Sequence, residues 1–367
     1  MKPLPASPER ILVRCPNWLG DLVMSTPGLR ALRQAHPQAR IVAHVVEPLV
    51  ALLAGQPDVD EVWPLHSRGR GLRALRAEAR RIAEGRFDLG IVIPESISSA
   101  LLMRCGAVGC VVGHSRDPLR RILLHRVASG PAVGGRRLVA RERAVLALMA
   151  SVGAPSEDTT LELGVTPEEQ ARLARAIAAS AAAGEERGRS LLAGCVVLAP
   201  GASFGDSKCW PVESYARLGD LLAARGELVV VVGSAAEQDR VRAVASAMRS
   251  ECLALAGELD VGSLKALLRE ARVLIGNDAG ARHVAIALGT PAVVFFGPTA
   301  VEKTDENLAR VEVLETEHGC RPCYRRRCPI DHRCLSSIGV EEALAAVERA
   351  LSQPQAGGCP SLGVIGR

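Results

Sequence analysis

Short apolar or β-branched runs recur along the chain, and most of them are followed by a turn and then by an amphipathic stretch. Runs of this length are typical of buried strands, and the amphipathic stretches, such as residues 71–83 and 212–224, are typical of helices. The predicted strands are residues 10–15, 41–46, 59–64, 88–94, 108–112, 195–198, 228–232, 273–275 and 292–296. Strands that alternate with helices at this spacing predict an α/β protein built on parallel, doubly wound sheets.

The length of 367 residues predicts two domains, since one domain usually takes roughly 100–200 residues. The composition shifts between about residues 155 and 189, where the sequence becomes rich in Ala and is punctuated by Gly and Glu. We therefore predict a first domain over residues 1–185 and a second over 186–353. The tail, residues 354–367, is predicted to be disordered.

The most informative loop lies within residues 271–299, ARVLIGNDAGARHVAIALGTPAVVFFGPT. A strand ends here in the turn cluster 276–280, and an apolar helical pattern follows at once. The N-terminus of a helix binds phosphate, because its unpaired N–H groups and the helix dipole point at the same place. Asp278 is either a helix cap or a hydrogen-bond partner of a sugar hydroxyl, and His283 is either a surface histidine or a ligand contact.

A second loop, PGASFGDSKCWP at residues 200–211, follows the strand at 195–198. Its Lys208 would be an ordinary surface residue in most loops. Here it follows two Gly residues and precedes Trp210-Pro211, a rigid anchor, which indicates a positioned cation. Lys208 together with the helix terminus at 278–283 would clamp a diphosphate without a metal.

The first half of the chain has its own polar loops where strands end, which is the edge at which such sheets bind ligands. The first loop carries Asn17, Gly20 and Asp21, and the loop after the fourth strand carries Glu95 and Ser96. Local sequence alone favours Asp21 as the cap of its helix over a carboxylate that faces a cleft.

Arginine is dense in two stretches of this half. Residues 68–86 hold seven Arg against two Glu, a pattern that favours a solvated helix face. Arg116 and Arg120 belong to the second stretch, close to the predicted strand 108–112, where they would face a cleft instead. Arginine suits bidentate phosphate recognition.

Charge and composition exclude several classes of protein. Lys and Arg exceed Asp and Glu by 45 − 40 = 5, and aromatic residues make up 2% of the chain. This charge excess is too mild for a nucleic-acid protein, and an aromatic platform for single strands is not expected. The first residues, MKPLPASPER, lack an apolar signal core, and no apolar run has the length of a spanning helix, so we expect a cytoplasmic protein.

Two common nucleotide-binding motifs are missing. GxxxxGK[ST] does not occur, and no GxGxxG follows a strand with an acidic residue on the next strand. Dinucleotide redox chemistry and ATP hydrolysis therefore lose support. Two α/β domains, one able to hold a diphosphate and the other carrying a carboxylate, suit group transfer in a cleft between domains.

Four segments together resemble a known family. NWLGDLVMSTPGLRAL, PGASFGDSKCWP, GSAAEQ and IGNDAGARHVAIALGTPAVVFFGPT occur in the order and spacing of the ADP-heptose:lipopolysaccharide heptosyltransferases, glycosyltransferase family 9, nearest to their heptosyltransferase II branch. The similarity spans residues 11–351. It implies a GT-B fold with two facing Rossmann-like domains, and inverting transfer of L-glycero-D-manno-heptose from ADP-heptose to the lipopolysaccharide inner core.

The resemblance also implies site residues. Asp21 matches the general base that deprotonates the acceptor hydroxyl, and Lys208 matches the lysine that binds the diphosphate. The implied donor-binding residues are Ser203, Lys208, Glu237, Leu259, Asp278, Ala279, Gly280 and His283. Within that set Glu237 matches a ribose contact and Leu259 an adenine contact. Asn17, Glu95, Ser96, Arg116 and Arg120 are our candidates for acceptor binding.

The chain departs from the family at three of these loop positions. Ala279 stands where Ser or Thr is usual, so a hydroxyl contact to phosphate is lost and the backbone donor remains. Arg282 stands where a small or apolar residue, often Met, is usual. Cys209 replaces a residue that is commonly basic. Arg282 would add a phosphate contact or change the sugar preference.

Eleven cysteines are expected to be thiols or metal ligands in a reducing compartment. Cys320, Cys323, Cys328 and Cys334 form the densest group, whose spacing permits a structural zinc or an iron–sulfur cluster without matching a familiar ribbon. No cofactor is expected for catalysis. The expected partners are ADP-heptose, a lipid A-core acceptor and the cytoplasmic face of the inner membrane, and not nucleic acid.

Two other hypotheses remain open from the sequence. One is a GT-B transferase or epimerase that acts on another nucleotide sugar. The other is a non-catalytic module for nucleotide or nucleic acid, centred on the Cys- and Arg-rich segment near residues 320–334.

Overall fold

The computed structural model describes residues 2–67, 71–131, 139–180 and 194–353. Its contacts divide the chain into two compact units. The first comprises the described residues up to Gly164 together with Val301–Asn307, and the second comprises those from Val165 to Ala300 and from Leu308 onward. The predicted boundary near residue 185 and the predicted tail 354–367 lie outside the described residues, as do Arg68 and Arg70 of the first Arg-dense stretch.

The first unit is built on a parallel sheet with six described strands in the order β3-β2-β1-β4-β5-β6. The strands are β1 (Arg10–Arg14), β2 (Arg40–Val46), β3 (Glu61–Leu65), β4 (Leu89–Val92), β5 (Cys110–Gly113) and β6 (Arg126–Val127). Ile11 of the central strand is in register with Ile41 on one side and Leu89 on the other. β1 and β4 are buried almost throughout, as expected of strands covered on both faces.

Helices connect these parallel strands, since a parallel crossover requires a connection of this kind. In this unit they are α1 (Leu19–Val23), α2 (Thr26–Ala35), α3 (Gly71–Glu84), α4 (Ile97–Cys105), α5 (Pro118–Leu123) and α6 (Arg141–Ala150), with a 3-10 segment at Glu47–Leu53. Pro at the start of α2 and α5 suits a first helical turn, where its missing N–H is not needed.

The second unit repeats the design, with six described parallel strands in the order β12-β11-β10-β7-β8-β9. They are β7 (Val196–Ala199), β8 (Val229–Gly233), β9 (Leu253–Ala256), β10 (Val273–Asn277), β11 (Ala292–Phe296) and β12 (Val311–Glu315). The prediction of two parallel doubly wound sheets is therefore confirmed. The ends of the predicted strands differ from the observed ends by a residue or two at most positions, which is normal.

The helices of the second unit are α7 (Pro167–Ser180), α8 (Val212–Ala223), α9 (Gln238–Ala247), α10 (Val261–Glu270), α11 (Gly280–Ala287), α12 (Arg333–Ser336) and α13 (Val340–Ser352). Short 3-10 turns lie at Asp206–Lys208, Ala235–Glu237 and Val301–Lys303, the last of which belongs to the first unit. α7 is attached to this unit by a buried ion pair, in which Lys265 Nζ lies 3.0 Å from Glu169 Oε1. None of the described helices is both long and apolar enough to cross a membrane.

An aromatic cluster fixes one end of the second sheet. Trp210 is fully buried, stacks on Phe295 with ring centroids 4.2 Å apart, and meets Tyr215 edge-on at 5.1 Å. Its indole N–H donates to the carbonyl of Ile338 over 3.1 Å. Because the indole is held on several sides, the loop that precedes it has a fixed end, as the Trp-Pro anchor in the sequence predicts.

Candidate functional site

Asn277, the last residue of β10, joins the two loops that the sequence singles out in the second unit. Its Nδ2 donates to the carbonyls of Pro200 and Gly201 over 2.9 and 3.1 Å. Its Oδ1 accepts from the backbone N–H of Trp210 over 3.0 Å and from the Tyr215 hydroxyl over 3.1 Å. A buried amide whose oxygen and nitrogen are both satisfied holds the loop after β7 against the end of β10.

This arrangement brings Lys208 to Asp278, 70 residues further along the chain. Lys208 Nζ donates to Asp278 Oδ2 over 2.6 Å and to the backbone carbonyl of Asp278 over 2.8 Å. The ammonium also lies 5.2 Å from the ring centroid of Phe204, within the range of a cation–π contact. Lys208 is therefore a positioned cation and not a free surface side chain.

Asp278 is the centre of a buried charged network. Arg282 Nε donates to Asp278 Oδ1 over 3.0 Å, and the Thr299 hydroxyl donates to Oδ2 over 2.7 Å. Burial by itself raises the pKa of Asp278, but the charges of Arg282 and Lys208 and the hydrogen bonds from Lys208 and Thr299 lower it well below its usual range. The carboxylate is ionised at neutral pH.

The start of α11 lies directly after this carboxylate. The N-cap residue is Ala279, which makes no side-chain capping hydrogen bond, so the interpretation of Asp278 as a helix cap is not what the structure shows. Ala279 and Gly280 are partly exposed, and His283 is buried. The helix terminus and the Lys208 ammonium thus occur side by side, an arrangement suited to an anion.

Glu237 lies beside the same loop. Its Oε2 accepts from the Ser234 backbone N–H over 2.9 Å and from the Ser234 hydroxyl over 2.7 Å, in a capping box. A Cβ atom on Gly201 would lie 2.4 Å from the Glu237 carboxyl carbon, so a larger residue there would displace this carboxylate from its present position. Ser203 is exposed and Leu259 is half-buried, and their predicted donor contacts stay predictions.

Asp21 lies in the first unit, in the first turn of α1. The N-cap of that helix is Trp18, without a side-chain capping bond, so the cap interpretation that local sequence favours does not describe Asp21. Asp21 Oδ1 lies 3.4 Å from Arg141 Nε at the start of α6, and the Asp21 side chain is 22% exposed. The carboxylate is charge-paired and still reachable.

Arg14, at the end of β1, is a residue that the sequence analysis did not select. Its buried guanidinium donates to Asn17 Oδ1 and to the carbonyls of Cys15 and His44, the last over 3.2 Å. It thereby holds the loop between β1 and α1. The sequence feature that could have identified Arg14 is its position, a charged residue directly after the apolar residues of a predicted strand.

The other predicted acceptor residues lie at the ends of β4 and β5. Ser96 is the N-cap of α4, and Glu95 Oε2 pairs with Arg116 Nη2 at 3.0 Å. Arg120 is completely buried, and its guanidinium donates to the carbonyls of His114 and Ser96, the former over 2.7 Å. Acceptor contact would require Arg120 to leave these carbonyls. The structure gives it a role in fixing the two loops, and its acceptor contact stays untested.

The Cys- and Arg-rich segment near residues 320–334 packs against the loop at residues 200–211, which carries Lys208. Ser207 donates its N–H to the carbonyl of Arg326 over 3.3 Å and its hydroxyl to the carbonyl of Arg325 over 2.5 Å. Burial, together with charges on the neighbouring cysteines, raises the pKa of the Cys334 thiol. Within the described ranges no three His, Cys, Asp or Glu side chains are placed to hold a metal, so Cys320, Cys323, Cys328 and Cys334 do not fit a bound ion as they stand.

Two parallel six-stranded sheets, one with a fixed ammonium beside a helix terminus at the ends of β7 and β10, define the class as a two-unit α/β protein. The family model of glycosyltransferase family 9 (heptosyltransferase) matches residues 75–333. This chain therefore belongs to glycosyltransferase family 9, and it is a glycosyltransferase.

Individual relatives agree with that assignment. Lipopolysaccharide heptosyltransferase 2 of Salmonella typhimurium is 31% identical, over 80% of this chain and 84% of that protein. The protein of the same name from Escherichia coli is 30% identical, over 95% of this chain and 100% of that protein. The solved structure of E. coli ADP-heptose lps heptosyltransferase II superposes with a TM-score of 0.78 at 26% identity, over 95% of this chain and 100% of that one. The GT-B fold, the family and the transferase class predicted from the sequence are confirmed.

Proposed function

We propose that the protein is an inverting heptosyltransferase that moves L-glycero-D-manno-heptose from ADP-heptose to the lipopolysaccharide inner core, adding the second heptose to heptosyl-Kdo2-lipid A. The observation that carries the proposal is the network of Lys208, Asp278 and Arg282 at the start of α11. The relatives named heptosyltransferase 2 support the choice of donor and acceptor.

In this proposal the second unit binds the donor. Lys208, Ser203 and the backbone N–H groups of Ala279 and Gly280 contact the diphosphate, for which the Ala279 N–H must leave the Asn277 carbonyl that accepts from it over 2.7 Å. Two further pairs of residues bind the ends of the molecule. Glu237 and Leu259 hold the ribose and the adenine, and Asp278 and His283 lie at the sugar end. Support comes from the helix terminus beside the Lys208 ammonium, which is 2.6 Å from Asp278.

Asp21 is the proposed general base. The acceptor hydroxyl oxygen forms a bond to the anomeric carbon, its proton passes to the Asp21 carboxylate, and the bond from that carbon to the diphosphate oxygen breaks. The negative charge that develops on ADP is stabilised by Lys208. Arg141 Nε lies 3.4 Å from Asp21 Oδ1, close enough to pair with the carboxylate that the proposal uses as the base.

The acceptor is proposed to meet the first unit at Asn17, Glu95, Ser96 and Arg116, with Arg120 holding the loops. Membrane contact is part of the same proposal, at the cytoplasmic face of the inner membrane. Leu119 and Ile122 on α5 are 64% and 77% exposed, and Arg116 and Arg121 beside them are exposed as well. Apolar side chains flanked by arginines suit the surface of an anionic leaflet.

No step of this mechanism uses a metal. A structural zinc or iron–sulfur group at Cys320, Cys323, Cys328 and Cys334 stays a prediction, and it requires the four thiols to converge. Metal analysis of protein purified without chelators tests it directly, with a Cys320→Ser/Cys323→Ser variant as the control.

Product analysis tests the function. The protein is incubated with ADP-heptose and lipid A-core acceptors truncated at successive sugars, and the products are analysed by mass spectrometry. We expect one added heptose on heptosyl-Kdo2-lipid A and none on shorter acceptors. Thermal shifts with ADP-heptose, UDP-sugars and GDP-sugars identify the nucleotide. Stabilisation by a UDP- or GDP-sugar alone would replace this proposal by a transferase for another donor.

A further inference from the structure

The proposed role of Lys208 conflicts with its present contacts. Two hydrogen bonds tie its ammonium to Asp278, at 2.6 Å to the carboxylate and 2.8 Å to the backbone carbonyl. To bind a diphosphate, Lys208 must give up at least part of this pairing. A buried carboxylate without any cation is strongly unfavourable, so donor binding would carry that penalty if Lys208 were the sole counter-ion of Asp278.

Arg282 provides Asp278 with a second cation. Arg282 Nε is 3.0 Å from Asp278 Oδ1, the oxygen opposite the one that Lys208 contacts, and the arginine side chain is 0% exposed. The guanidinium lies 5.0 Å from the ring centroid of Phe296, and the Thr299 hydroxyl donates to Oδ2 over 2.7 Å. Packing therefore fixes Arg282 in place. Lys208, in contrast, is a half-buried residue of a loop, so its ammonium has more freedom to move.

We propose that Arg282 is a positioning residue, the permanent counter-ion of Asp278, which allows Lys208 to exchange Asp278 for the donor diphosphate. This inference rests on the proposed function. In the exchange Asp278 keeps Arg282 on one oxygen and Thr299 on the other, and so stays ionised. The lysine then carries its full charge to the phosphate.

The charged groups in contact with Asp278 come from two elements, Lys208 from the 3-10 turn at Asp206–Lys208 and Arg282 from α11. The segment after β11 contributes Thr299, which is uncharged. His283 is the other buried titratable group on α11, and it is the same in every variant below. Repeating the titrations in an Asp278→Asn background assigns the change to Asp278, because that background keeps His283 and the titrating ADP phosphate and lacks only the carboxylate.

The test is calorimetric titration with ADP at about pH 6, in two buffers that differ in protonation enthalpy, which gives both affinity and proton uptake. The variants are Arg282→Met, Arg282→Gln and a matched control, Arg242→Met, whose side chain is 62% exposed in the same unit. We expect the two Arg282 variants to bind ADP about tenfold more weakly, because Asp278 loses its remaining cation. They should also take up more protons per ADP than the wild type, while Arg242→Met matches the wild type.

Arg282→Gln keeps a hydrogen-bond donor but removes the positive charge. It therefore tests the counter-ion role of Arg282 even if Arg282→Met does not fold. Unchanged affinity and proton uptake in the folded Arg282 variants would overturn the counter-ion role and leave the proposed function intact. If the wild type does not bind ADP at all, the proposed donor site fails, and this inference fails with it.

Discussion

The two carboxylates at the centre of the proposed mechanism have opposite surroundings. Asp278 is buried, and three side chains donate to it at 2.6–3.0 Å. Asp21 is 22% exposed, and its ion pair with Arg141 is longer, at 3.4 Å. A buried network of fixed charges suits the binding of a ligand with constant charge. A partly exposed carboxylate with a longer ion pair suits a group that must meet an acceptor and take up a proton.

The largest effect is expected at Asp21. Asp21→Asn removes the proposed base, so kcat should fall by about 100- to 10,000-fold while the affinity for ADP is kept. Single-turnover assays and ADP titration measure the two quantities. Glu157→Gln, at a 97% exposed carboxylate in the same unit, is the control. A variant that keeps wild-type turnover would remove Asp21 from the chemistry.

Lys208 comes next. Lys208→Met should lower kcat/KM by about 100- to 1,000-fold, because the charge on departing ADP loses its fixed partner. In contrast to Asp21→Asn, this variant should also bind ADP more weakly. Arg217→Met, with a 64% exposed side chain in the same unit, should behave as the wild type. Equal ADP affinity in Lys208→Met and wild type would contradict the assignment.

Asp278 links the network to stability. Its folded-state pKa lies below the ordinary value, so its carboxylate stabilises the fold above about pH 4 and loses this effect as the pH falls toward the folded pKa. Asp278→Asn should therefore lower the free energy of unfolding near neutral pH by about 3 kcal/mol, because Lys208 and Arg282 lose the carboxylate that neutralises their charges. Urea unfolding at several pH values measures the difference from wild type.

That difference should shrink as the solution is made more acidic than about pH 4. Asp239→Asn, at a 97% exposed carboxylate, should show no comparable pH dependence. A constant difference between wild type and Asp278→Asn at neutral and acidic pH would mean that packing, and not the ionised carboxylate, causes the loss.

The smallest effect is expected on the surface of α5. Leu119→Ser with Ile122→Ser should reduce binding to vesicles containing anionic lipid by about tenfold, since two exposed apolar side chains are lost. Thermal stability should not change. Leu72→Ser, at a residue that is 72% exposed on α3, is the control. Sedimentation with vesicles measures the bound fraction, and unaltered binding of the double variant would exclude α5 as the contact surface.

Part of this structure could be read from local pattern. Strands β1, β2, β7, β8, β10 and β11 are each centred on buried apolar residues, and the sequence predicts each of them. The strands that it missed, β6, β9 and β12, lie at sheet edges. Most residues of β9 (LALA) and β12 (VEVLE) are half-buried, as expected at a sheet edge. Neither sequence has the continuous β-branched run that is typical of a central strand, so neither strand was predicted.

The site divides in the same way. That polar loops follow β1, β7 and β10 is determined by the sequence, because turn residues and strand ends are local signals. Which groups pair within those loops depends on packing. Lys208 reaches Asp278 across 70 residues, Asn277 joins two loops, and Arg120 turns inward to backbone carbonyls. The order of polar and apolar residues along the chain does not predict such contacts. The free energy of a buried charge depends on its neighbours, and only folding brings those neighbours together.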